Sequence, residues 1–310
     1  MLEAQNLEMK YKNKLAVDNV NLYIEKGESV GLLGPNGAGK STTISMISTL
    51  LPPTKGTVKY NGKDIFDKPE SIRPFLGVVP QEIALYDELS ALENLTFFGK
   101  IHGLRGQVLK DKIQKVLELV ELTDRKKDAV KNYSGGMKRR INLAVALLHD
   151  PEILIMDEPT VGIDPQSRNY ILDMVKKLNK EKKLTILYTS HYMEEVEKLC
   201  DRIYIMDHGQ IVASGTNEEL KSILTNEETI EVSVNVHDDH FTECLMNNQS
   251  INQITKEENG YRLIVSKSEE LLVKLFEYAK SSNIVITGIQ IKKPTLEDVF
   301  LHLTGKKLRD

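Results

Sequence analysis

The chain has 310 residues and a net charge of -4 at pH 7, with 40% hydrophobic and 28% charged residues. This is the composition of an ordinary globular protein, and the slightly acidic balance gives no sign of a polyanion-binding surface, so we expect no nucleic acid as partner. Because a single core stops growing at about 250–300 residues, the length predicts one large domain and a smaller one.

The α/β core is predicted from the amino terminus to about residue 220. A buried strand over residues 28–33 leads into a glycine-rich loop and a helix that begins near Lys40. Apolar strand patterns return later in the chain, over residues 152–156, 184–188 and 202–206. We therefore predict a first domain that covers residues 1–222.

A hairpin and a helical insert interrupt this alternation. Asn61-Gly62 predicts a hairpin turn within residues 56–65. Ser90 and Glu93 have the spacing of a capping box and open a region of long amphipathic helices. The helical insert is predicted at about residues 86–150.

The pattern changes beyond residue 226, where a second domain is predicted over residues 227–310. Its expected order, β-α-β-β-α-β, is that of a small ferredoxin-like domain. A last helix begins at the capped segment Thr295–Asp298, and four apolar side chains share one of its faces: Leu296, Val299, Phe300 and Leu303. The other predicted elements are strands at 229–236 and 284–291, two strands that flank Glu258-Asn259-Gly260, and helices at 240–247 and 268–279.

Cysteine content and apolar run lengths indicate the compartment. Cys200 and Cys244 are the only cysteines, and they form neither a disulfide framework nor the paired spacing of a zinc site, which favours a reducing cytoplasm. The amino terminus lacks the apolar region of a signal peptide, and no apolar run approaches the ~18–20 residues that span a bilayer. Work at a membrane is therefore expected to need another protein as anchor.

The glycine-rich loop has the composition of a phosphate cradle. Its glycines let successive backbone N–H groups turn toward one centre, and the helix after it directs its positive dipole end to the same place. Lys40 can then reach the β- and γ-phosphates, and the Ser41 hydroxyl can bind Mg²⁺. The full spacing after a strand favours this interpretation over a turn without a ligand. The loop consists of Gly34, Pro35, Asn36, Gly37, Ala38, Gly39, Lys40, Ser41 and Thr42.

A pair of carboxylates, Asp157 and Glu158, ends the apolar strand Ile153-Leu154-Ile155-Met156. Because buried charges are costly unless they are paired or bind a metal, the pair indicates a cation at the strand end. We expect Asp157 to hold Mg²⁺ through water and Glu158 to take a proton from the water that attacks the γ-phosphate. A solvated turn is the alternative, which the neighbouring phosphate loop makes less attractive.

A second possible anion cradle lies in NYSGGMKRR, the segment from Asn132 to Arg140. With the phosphate loop and the carboxylate pair, it resembles the nucleotide-binding subunit of an ATP-binding cassette (ABC) transporter. The resemblance implies a P-loop NTPase cassette, with a RecA-like core, an antiparallel β subdomain and a helical insert. In that family two cassettes pack head to tail. Ser134, Gly135 and Gly136 are then implied to meet the γ-phosphate of ATP held by a second cassette.

This signature segment departs from the commonest form, Leu-Ser-Gly-Gly-Gln, at two positions. Tyr133 stands in place of leucine and Met137 in place of glutamine. Because the Ser-Gly-Gly core supplies the backbone donors, we expect the capping role to survive. A contact made by the usual glutamine side chain is not expected.

Four further positions match the family one at a time. Tyr11 precedes the first core strand, where the resemblance implies an aromatic ring stacked on adenine. Gln81 stands where a glutamine senses Mg²⁺ and links the core to the helical insert. Asp164 corresponds to the loop that touches the partner cassette, and His191 is implied to contact the γ-phosphate.

Met137 and the closing stretch from Pro294 to Leu301 resemble the subgroup that serves drug, lantibiotic, sodium or polysaccharide export, and the C-terminal extension is also similar. The resemblance implies an ATPase with ATP and Mg²⁺ as cofactors, a separate integral membrane permease, and a second cassette as partner. Intact motifs favour a homodimer. The expected location is cytoplasmic and peripheral, on the inner face of the cell membrane. The cargo is chosen by the permease.

Two alternatives come from other functional classes. Similar cassettes occur in ATPases of DNA repair or chromosome organisation and in ribosome-associated factors. The compact spacing between phosphate loop and signature, the single cassette and the absence of cysteine pairs or long heptads favour the transporter. A nucleotide-binding regulator without hydrolysis fits poorly with the intact pair Asp157-Glu158.

Overall fold

The structure, a computed structural model, describes residues 1–12, 14–224, 227–266, 269–292 and 294–305. These residues form two compact units, Met1–Thr216 and a second unit that begins at Asn217. The second unit therefore starts before the boundary that we predicted at residues 222–227. Within the described ranges, no helix combines the length and the apolar character needed to cross a bilayer.

The first unit contains the alternating strands and helices expected from the sequence. Its strands are β1 (Leu2–Tyr11), β2 (Lys14–Ile24), β3 (Ser29–Leu33), β4 (Lys55–Tyr60), β5 (Lys63–Asp64), β6 (Leu76–Val79), β7 (Ile153–Asp157), β8 (Thr185–Ser190), β9 (Arg202–Asp207) and β10 (Gln210–Gly215). Its helices are α1 (Lys40–Ile47), α2 (Ala91–Ile101), α3 (Gly106–Leu119), α4 (Gly135–Leu147), α5 (Pro165–Lys182) and α6 (Met193–Leu199).

A six-stranded sheet in the order β10-β9-β3-β8-β7-β6 forms the centre of this unit. The strands from β9 to β6 are parallel, and β10 pairs antiparallel with β9. Every residue of β3, β7 and β8 is buried, which explains their continuous apolar runs. The carboxyl ends of parallel strands share one edge of a sheet, so the loops after β3, β6, β7 and β8 meet there.

A second, antiparallel sheet in the order β2-β1-β4-β5 packs against α1 and the central sheet. Leu7 and Val20 from this sheet, Ile47 from α1 and Ile155 from β7 belong to one buried apolar cluster. The predicted hairpin joins β4 to β5, and Asn61 at its turn has a φ of 49°. This core fixes the glycine-rich loop between β3 and α1.

The helical insert begins as predicted. Ser90 Oγ accepts a hydrogen bond from the Glu93 N–H, and the Ser90 N–H donates to Glu93 Oε2 at 2.8 Å, which completes the capping box. Helices α2, α3 and α4 pack against one another, and α4 also packs on β6. The insert is thereby joined directly to the strand that precedes Gln81.

The second unit has the predicted ferredoxin-like order. The elements are α7 (Asn217–Ser222), β11 (Glu227–Val234), α8 (Asp239–Met246), β12 (Ile251–Glu257), β13 (Gly260–Ser266), α9 (Glu269–Ser281), β14 (Ile286–Lys292) and α10 (Leu296–Thr304). The sheet, in the order β12-β13-β11-β14, is antiparallel throughout, with the first and third strands of the unit in the centre. The first helix, α7, packs on the last helix, α10, so this segment groups with the second unit.

The last helix has the predicted capped start, since Thr295 and Asp298 exchange hydrogen bonds in a capping box. Leu296, Val299 and Phe300 are buried, as their shared face predicts. Leu303 is only half-buried, because the helix ends one residue later and its last turn is more open.

Candidate functional site

The glycine-rich loop passes very close to neighbouring backbone. A Cβ atom on Gly34 would lie 2.3 Å from the Met206 carbonyl oxygen, and one on Gly39 would lie 2.6 Å from that of Ala16. Gly39 also has a φ of 108°, in the left-handed region that favours glycine. The sequence therefore needs glycine here to bring backbone N–H groups and the amino end of α1 to one place.

Lys40 is buried at the start of α1. Its ammonium group donates hydrogen bonds to the carbonyl oxygens of Gly34 at 2.8 Å and Pro35 at 3.2 Å. The same Nζ lies 3.1 Å from Glu158 Oε1, and about 5% of each side chain is exposed. The cation is thus held at the centre of the loop by the carboxylate that ends β7.

Asp157 and Glu158 are both buried at the carboxyl end of β7. Thr189 on β8 donates from its hydroxyl to Asp157 Oδ1 at 2.7 Å and accepts from the Glu158 N–H at 3.0 Å. Within the described ranges, the Asp157 carboxylate forms no ion pair. Glu158 has a φ of 45°, a left-handed conformation that is uncommon for a non-glycine residue. The two carboxylates have different partners, since Glu158 pairs with Lys40 and Asp157 accepts from Thr189.

Two more predicted residues converge on Glu158. Gln81 Nε2 donates to Glu158 Oε2 at 3.4 Å, and His191 Nδ1 lies 3.3 Å from the same oxygen. Among the residues that the structure describes, the buried His191 Nδ1 has no hydrogen-bond partner with good alignment. Loops after β6, β7 and β8 therefore bring the three predicted catalytic side chains together.

A cavity of about 370 Å³ opens at this edge of the sheet. Tyr11, the last residue of β1, lines it and is 47% exposed, so its ring is accessible for stacking. Neither Asp164 nor any residue of the signature segment contributes to its wall. The lining residues are Tyr11, Lys14, Ala16, Asn36, Gly37, Gly39, Lys40, Ser41, Thr42, Gln81 and Glu158.

The signature segment lies beside the loop of Asp164. Ser134 is exposed and caps α4, because its side chain accepts a hydrogen bond from the Met137 N–H. A Cβ on Gly136 would lie 2.2 Å from Ser167 Oγ, so the helix start packs closely on the start of α5. Asp164 caps α5, and hydrogen bonds from Ser167 lower the pKa of its carboxyl. The structure thus pairs the two predicted partner-facing segments.

Family comparisons agree with this geometry. Residues 17–161 match the family model "ABC transporter", and residues 215–304 match "ATP-binding protein DrrA1-3-like, C-terminal domain". The linearmycin resistance ATP-binding protein LnrL of Bacillus subtilis (strain 168) is 47% identical over 312 residues, which span 100% of both chains.

The chain belongs to the ATP-binding proteins of ABC transporters.

Two further comparisons extend this result. The daunorubicin resistance ATP-binding protein DrrA3 of Streptomyces coeruleorubidus is 34% identical, covering 97% of this chain and 95% of the relative. A dimeric, post-hydrolysis structure of the ATP-binding cassette MJ0796, bound to ADP and Pi, matches with a TM-score of 0.65 and 29% identity, covering 70% of this chain and 98% of that one. The comparisons confirm the predicted family, the cassette fold, ATP hydrolysis and the likeness to the exporter subgroup.

In this ABC cassette, sequence reasoning missed the role of Arg139. Its guanidinium is buried and donates to the carbonyl oxygens of Gln81 and, at 3.3 Å, Val161. One side chain from the signature helix therefore holds both the Gln81 segment and the loop before Asp164. The only sequence signal was its place in the basic run Lys138-Arg139-Arg140, which does not distinguish a buried arginine from an exposed one.

The two departures from the common signature have different surroundings. Tyr133 is buried, and its hydroxyl donates to the Arg125 carbonyl oxygen at 2.6 Å. Burial raises the pKa of this phenol. Tyr133 thus belongs to the support of the signature in this cassette, and Met137 contributes its backbone N–H to the cap of Ser134.

Proposed function

We propose that two copies of this chain bind ATP between them, hydrolyse it with Mg²⁺, and drive a separate integral membrane permease to export its cargo. The observation that carries the proposal is the separation of two anion cradles within one chain. The phosphate loop meets Glu158, Gln81 and His191 beside a cavity, whereas Ser134 and Gly135 are exposed outside its wall.

The nucleotide would occupy the cavity at the edge of the sheet. Tyr11 would stack on adenine, and the backbone of residues 34–39 with the side chains of Lys40 and Thr42 would bind the phosphates. Lys40 is paired with Glu158 in the structure, so when ATP binds, Lys40 would leave this carboxylate and pair with a phosphate oxygen instead. The exchange would free Glu158 at the moment when the γ-phosphate arrives.

The donor set fits Mg²⁺. Asp157 is buried and forms no ion pair within the described ranges, so a cation at this point would neutralise an otherwise costly charge. Ser41 and Gln81 line the adjoining cavity and would contribute a hydroxyl and an amide oxygen, both of which suit this hard cation. When bound, Mg²⁺ would stabilise the negative charge on the β- and γ-phosphates.

Hydrolysis would depend on the side chains around Glu158. Its carboxylate would accept a proton from the attacking water, and His191, whose Nδ1 lies 3.3 Å from Glu158 Oε2, would contact the γ-phosphate. Gln81 would bring the segment after β6 to the same point. Since phosphoryl transfer rests on positioning and electrostatics, completion of the site by a partner would control the rate.

The partner cassette would supply the second cradle. Ser134, Gly135 and Gly136 form the amino end of the 13-residue helix α4, where backbone N–H groups and the helix dipole favour an anion. Asp164 lies next to this segment at the start of α5. A head-to-tail homodimer would seat both segments against the ATP of the other copy.

The permease would dock on an apolar patch of the helical insert, which we define as the exposed residues Tyr86, Phe97 and Ile101 and the partly buried Phe98. The ring centroids of Tyr86 and Phe97 are 5.0 Å apart, and those of Phe97 and Phe98 are 5.2 Å apart. Tyr86 is 50% exposed and Ile101 is 64% exposed. The patch follows Gln81 closely in the chain, so movement of the nucleotide site would reach it.

A cell-fractionation experiment distinguishes transport from the alternative function. The tagged full chain is expected to co-purify with an integral membrane protein, and Phe97→Asp is expected to lose this association while ATPase activity remains. Val273→Asp, at an exposed apolar position of the second unit, is the matched control and should stay membrane-associated. Association with ribosomes or DNA instead of membranes would contradict the proposal.

A further inference from the structure

Glu195 is an acidic side chain that the ATPase mechanism above does not use. It lies on α6 and is only 2% exposed. Three hydroxyl groups donate to its carboxylate: that of Thr160 to Oε1 at 2.7 Å, and those of Tyr188 and Ser190 to Oε2 at 2.7 and 2.8 Å. These contacts join α6 to two other segments of the chain, the end of β8 and the loop after β7.

One of these segments carries His191. Ser190 donates to Glu195 and also accepts the Tyr192 N–H at 2.8 Å, so its hydroxyl is fixed from both sides. The rings of His191 and Tyr192 are adjacent, with centroids 4.1 Å apart. Glu195 therefore constrains the residue before His191 directly and the residue after it through Ser190.

Arg168 on α5 also contacts this cluster, because its guanidinium lies close to both the Glu195 carboxylate and the Tyr192 ring. Its Nε lies 3.3 Å from Glu195 Oε1, and its guanidinium carbon lies 4.3 Å from the ring centroid. The backbone N–H of Arg168 donates to the Asp164 carbonyl oxygen at 3.0 Å within the first turn of the helix. The start of α5, which we propose faces the partner, is thus tied to the His191 loop.

The other segment carries Glu158. Thr160 follows it by two residues and is 1% exposed. Its bond to Glu195 crosses from the loop after β7 to the helix after β8. Because Thr189 already joins the ends of these two strands at Asp157, the Glu195 contacts form a second cross-link on the far side of the Glu158 turn.

We propose that Glu195 is a positioning residue for ATP hydrolysis, which holds the Glu158 loop and the His191 loop in one fixed relation. It touches neither side chain and acts through Thr160 and Ser190. The proposal rests on the roles proposed above for Glu158 and His191. A purely structural Glu195 would stabilise the fold, but its removal would not reduce turnover in protein that stays folded and binds ATP.

Ser190→Ala tests the link without removing a buried charge, and Glu195→Gln tests the carboxylate with an isosteric side chain. Because an ångström-scale misplacement costs up to about 10²-fold, we expect each variant to lower kcat about 10- to 100-fold. The dissociation constant of a fluorescent ATP analogue should stay close to that of wild type. The melting temperature should fall, because a buried hydrogen-bond network is altered, but should stay above the assay temperature, so that the kcat of folded protein is measured. Glu194→Gln, at the exposed neighbouring position, is the matched control and should keep wild-type kcat.

A double-mutant cycle separates positioning from independent effects. If Glu195 acts on His191 through Ser190, the kcat of Glu195→Gln/Ser190→Ala should lie within about twofold of the lower single variant. The proposal is overturned if either single variant keeps kcat within twofold of wild type, or if the two losses multiply. Absence of ATPase activity in the wild-type chain would refute the proposed function instead. This result is distinguishable, because wild type is measured before any variant.

Discussion

Lys40 Nζ and Glu158 Oε1 form a buried ion pair at 3.1 Å, between the proposed phosphate-binding lysine and the proposed general base. The pair neutralises two charges that would each be costly to bury alone. In the proposed mechanism, phosphate oxygens would take the place of the carboxylate beside Lys40. Nucleotide binding and activation of Glu158 would then be one event, since the ammonium group would leave the carboxylate to reach a phosphate.

Glu158→Gln should separate ATP binding from ATP hydrolysis. The variant loses the charge that competes with phosphate for Lys40, so its affinity for ATP should equal or exceed that of wild type. Its turnover should fall about 10²–10⁴-fold, the usual contribution of a general base. Phosphate release and equilibrium binding of a fluorescent ATP analogue measure both quantities. Glu181→Gln, at an exposed position of α5, should change neither, and near-normal turnover of Glu158→Gln would refute its assignment as base.

Arg139→Gln should lower the stability of the fold, because Arg139 joins the signature helix to two neighbouring loops. Loss of the guanidinium leaves the carbonyl oxygens of Gln81 and Val161 without their donor, at a cost of about 1–3 kcal/mol in the free energy of unfolding. Urea denaturation measures this change. Lys138→Gln removes a charge from the adjacent, less buried position, where the ion pair with Asp87 is partly solvated and should contribute less than about 1 kcal/mol. Equal destabilisation by both variants would contradict the bridging role.

His149 should make the fold less stable in acid. Its ring stacks on His102, with centroids 3.8 Å apart, and burial, followed by repulsion from His102, lowers its pKa to about 4. Burial lowers the pKa of His102 as well. Because an unfolded histidine has a pKa near 6.5, the unfolded chain binds more protons between about pH 4 and 6.5. This contribution to stability is complete above pH 6.5 and is lost as the pH falls toward 4.

His149→Gln tests this dependence by urea denaturation at pH 7 and pH 4.5. Allowing for its partial exposure, wild type should lose roughly 1–2 kcal/mol more than the variant over this interval. His208→Asn, at an exposed turn, is the control and should follow wild type. An unchanged slope in His149→Gln would show that the histidine pair does not titrate with unfolding.

The two cysteines should differ in reactivity. Cys200 is buried, and burial raises its pKa to about 12, whereas Cys244 is partly exposed on α8. Since the thiolate is the reactive form, iodoacetamide at pH 8 should label Cys244 and spare Cys200 in the folded chain. Peptide mass spectrometry after brief labelling reads out both sites. Labelling of Cys200 at the rate of Cys244 would contradict the packing of α6 on β3.

Much of the fold could be predicted because local patterns and tertiary packing agree. The fully buried strands β3, β7 and β8 read as apolar runs, and the Asn61-Gly62 turn and the Ser90 capping box specify their own geometry. The order of the second unit was equally clear from turns and helical faces. Domain limits were harder, since α7 joins the second unit by packing on α10 rather than by any local signal.

The phosphate loop and Asp157-Glu158 could be predicted from composition and spacing, whereas Gln81 and His191 were expected from the family resemblance. The topology brings the strand ends that carry these residues together. Glu195 and Arg139 were not predictable, because their importance lies in contacts between distant segments. Along the sequence Glu195 looks the same as the exposed Glu194, and only the fold places one beside Thr160 and Ser190.

The central claim is that the signature segment of one copy binds the ATP held by the other. Its most direct test is the solution mass of Glu158→Gln by light scattering, with and without Mg-ATP. The measurement is made with Ser134 unchanged, with Ser134→Asp and with Ser134→Asn. Ser134→Asp keeps a good cap on α4 but adds a negative charge to the exposed cradle, whereas Ser134→Asn keeps the cap without charge. We predict that Mg-ATP converts Glu158→Gln and its Ser134→Asn derivative from monomer to dimer, and that the Ser134→Asp derivative binds ATP yet stays monomeric. ATP-dependent dimers in the Ser134→Asp background, or no dimer in any background with ATP bound, would contradict a signature that acts on the partner's nucleotide.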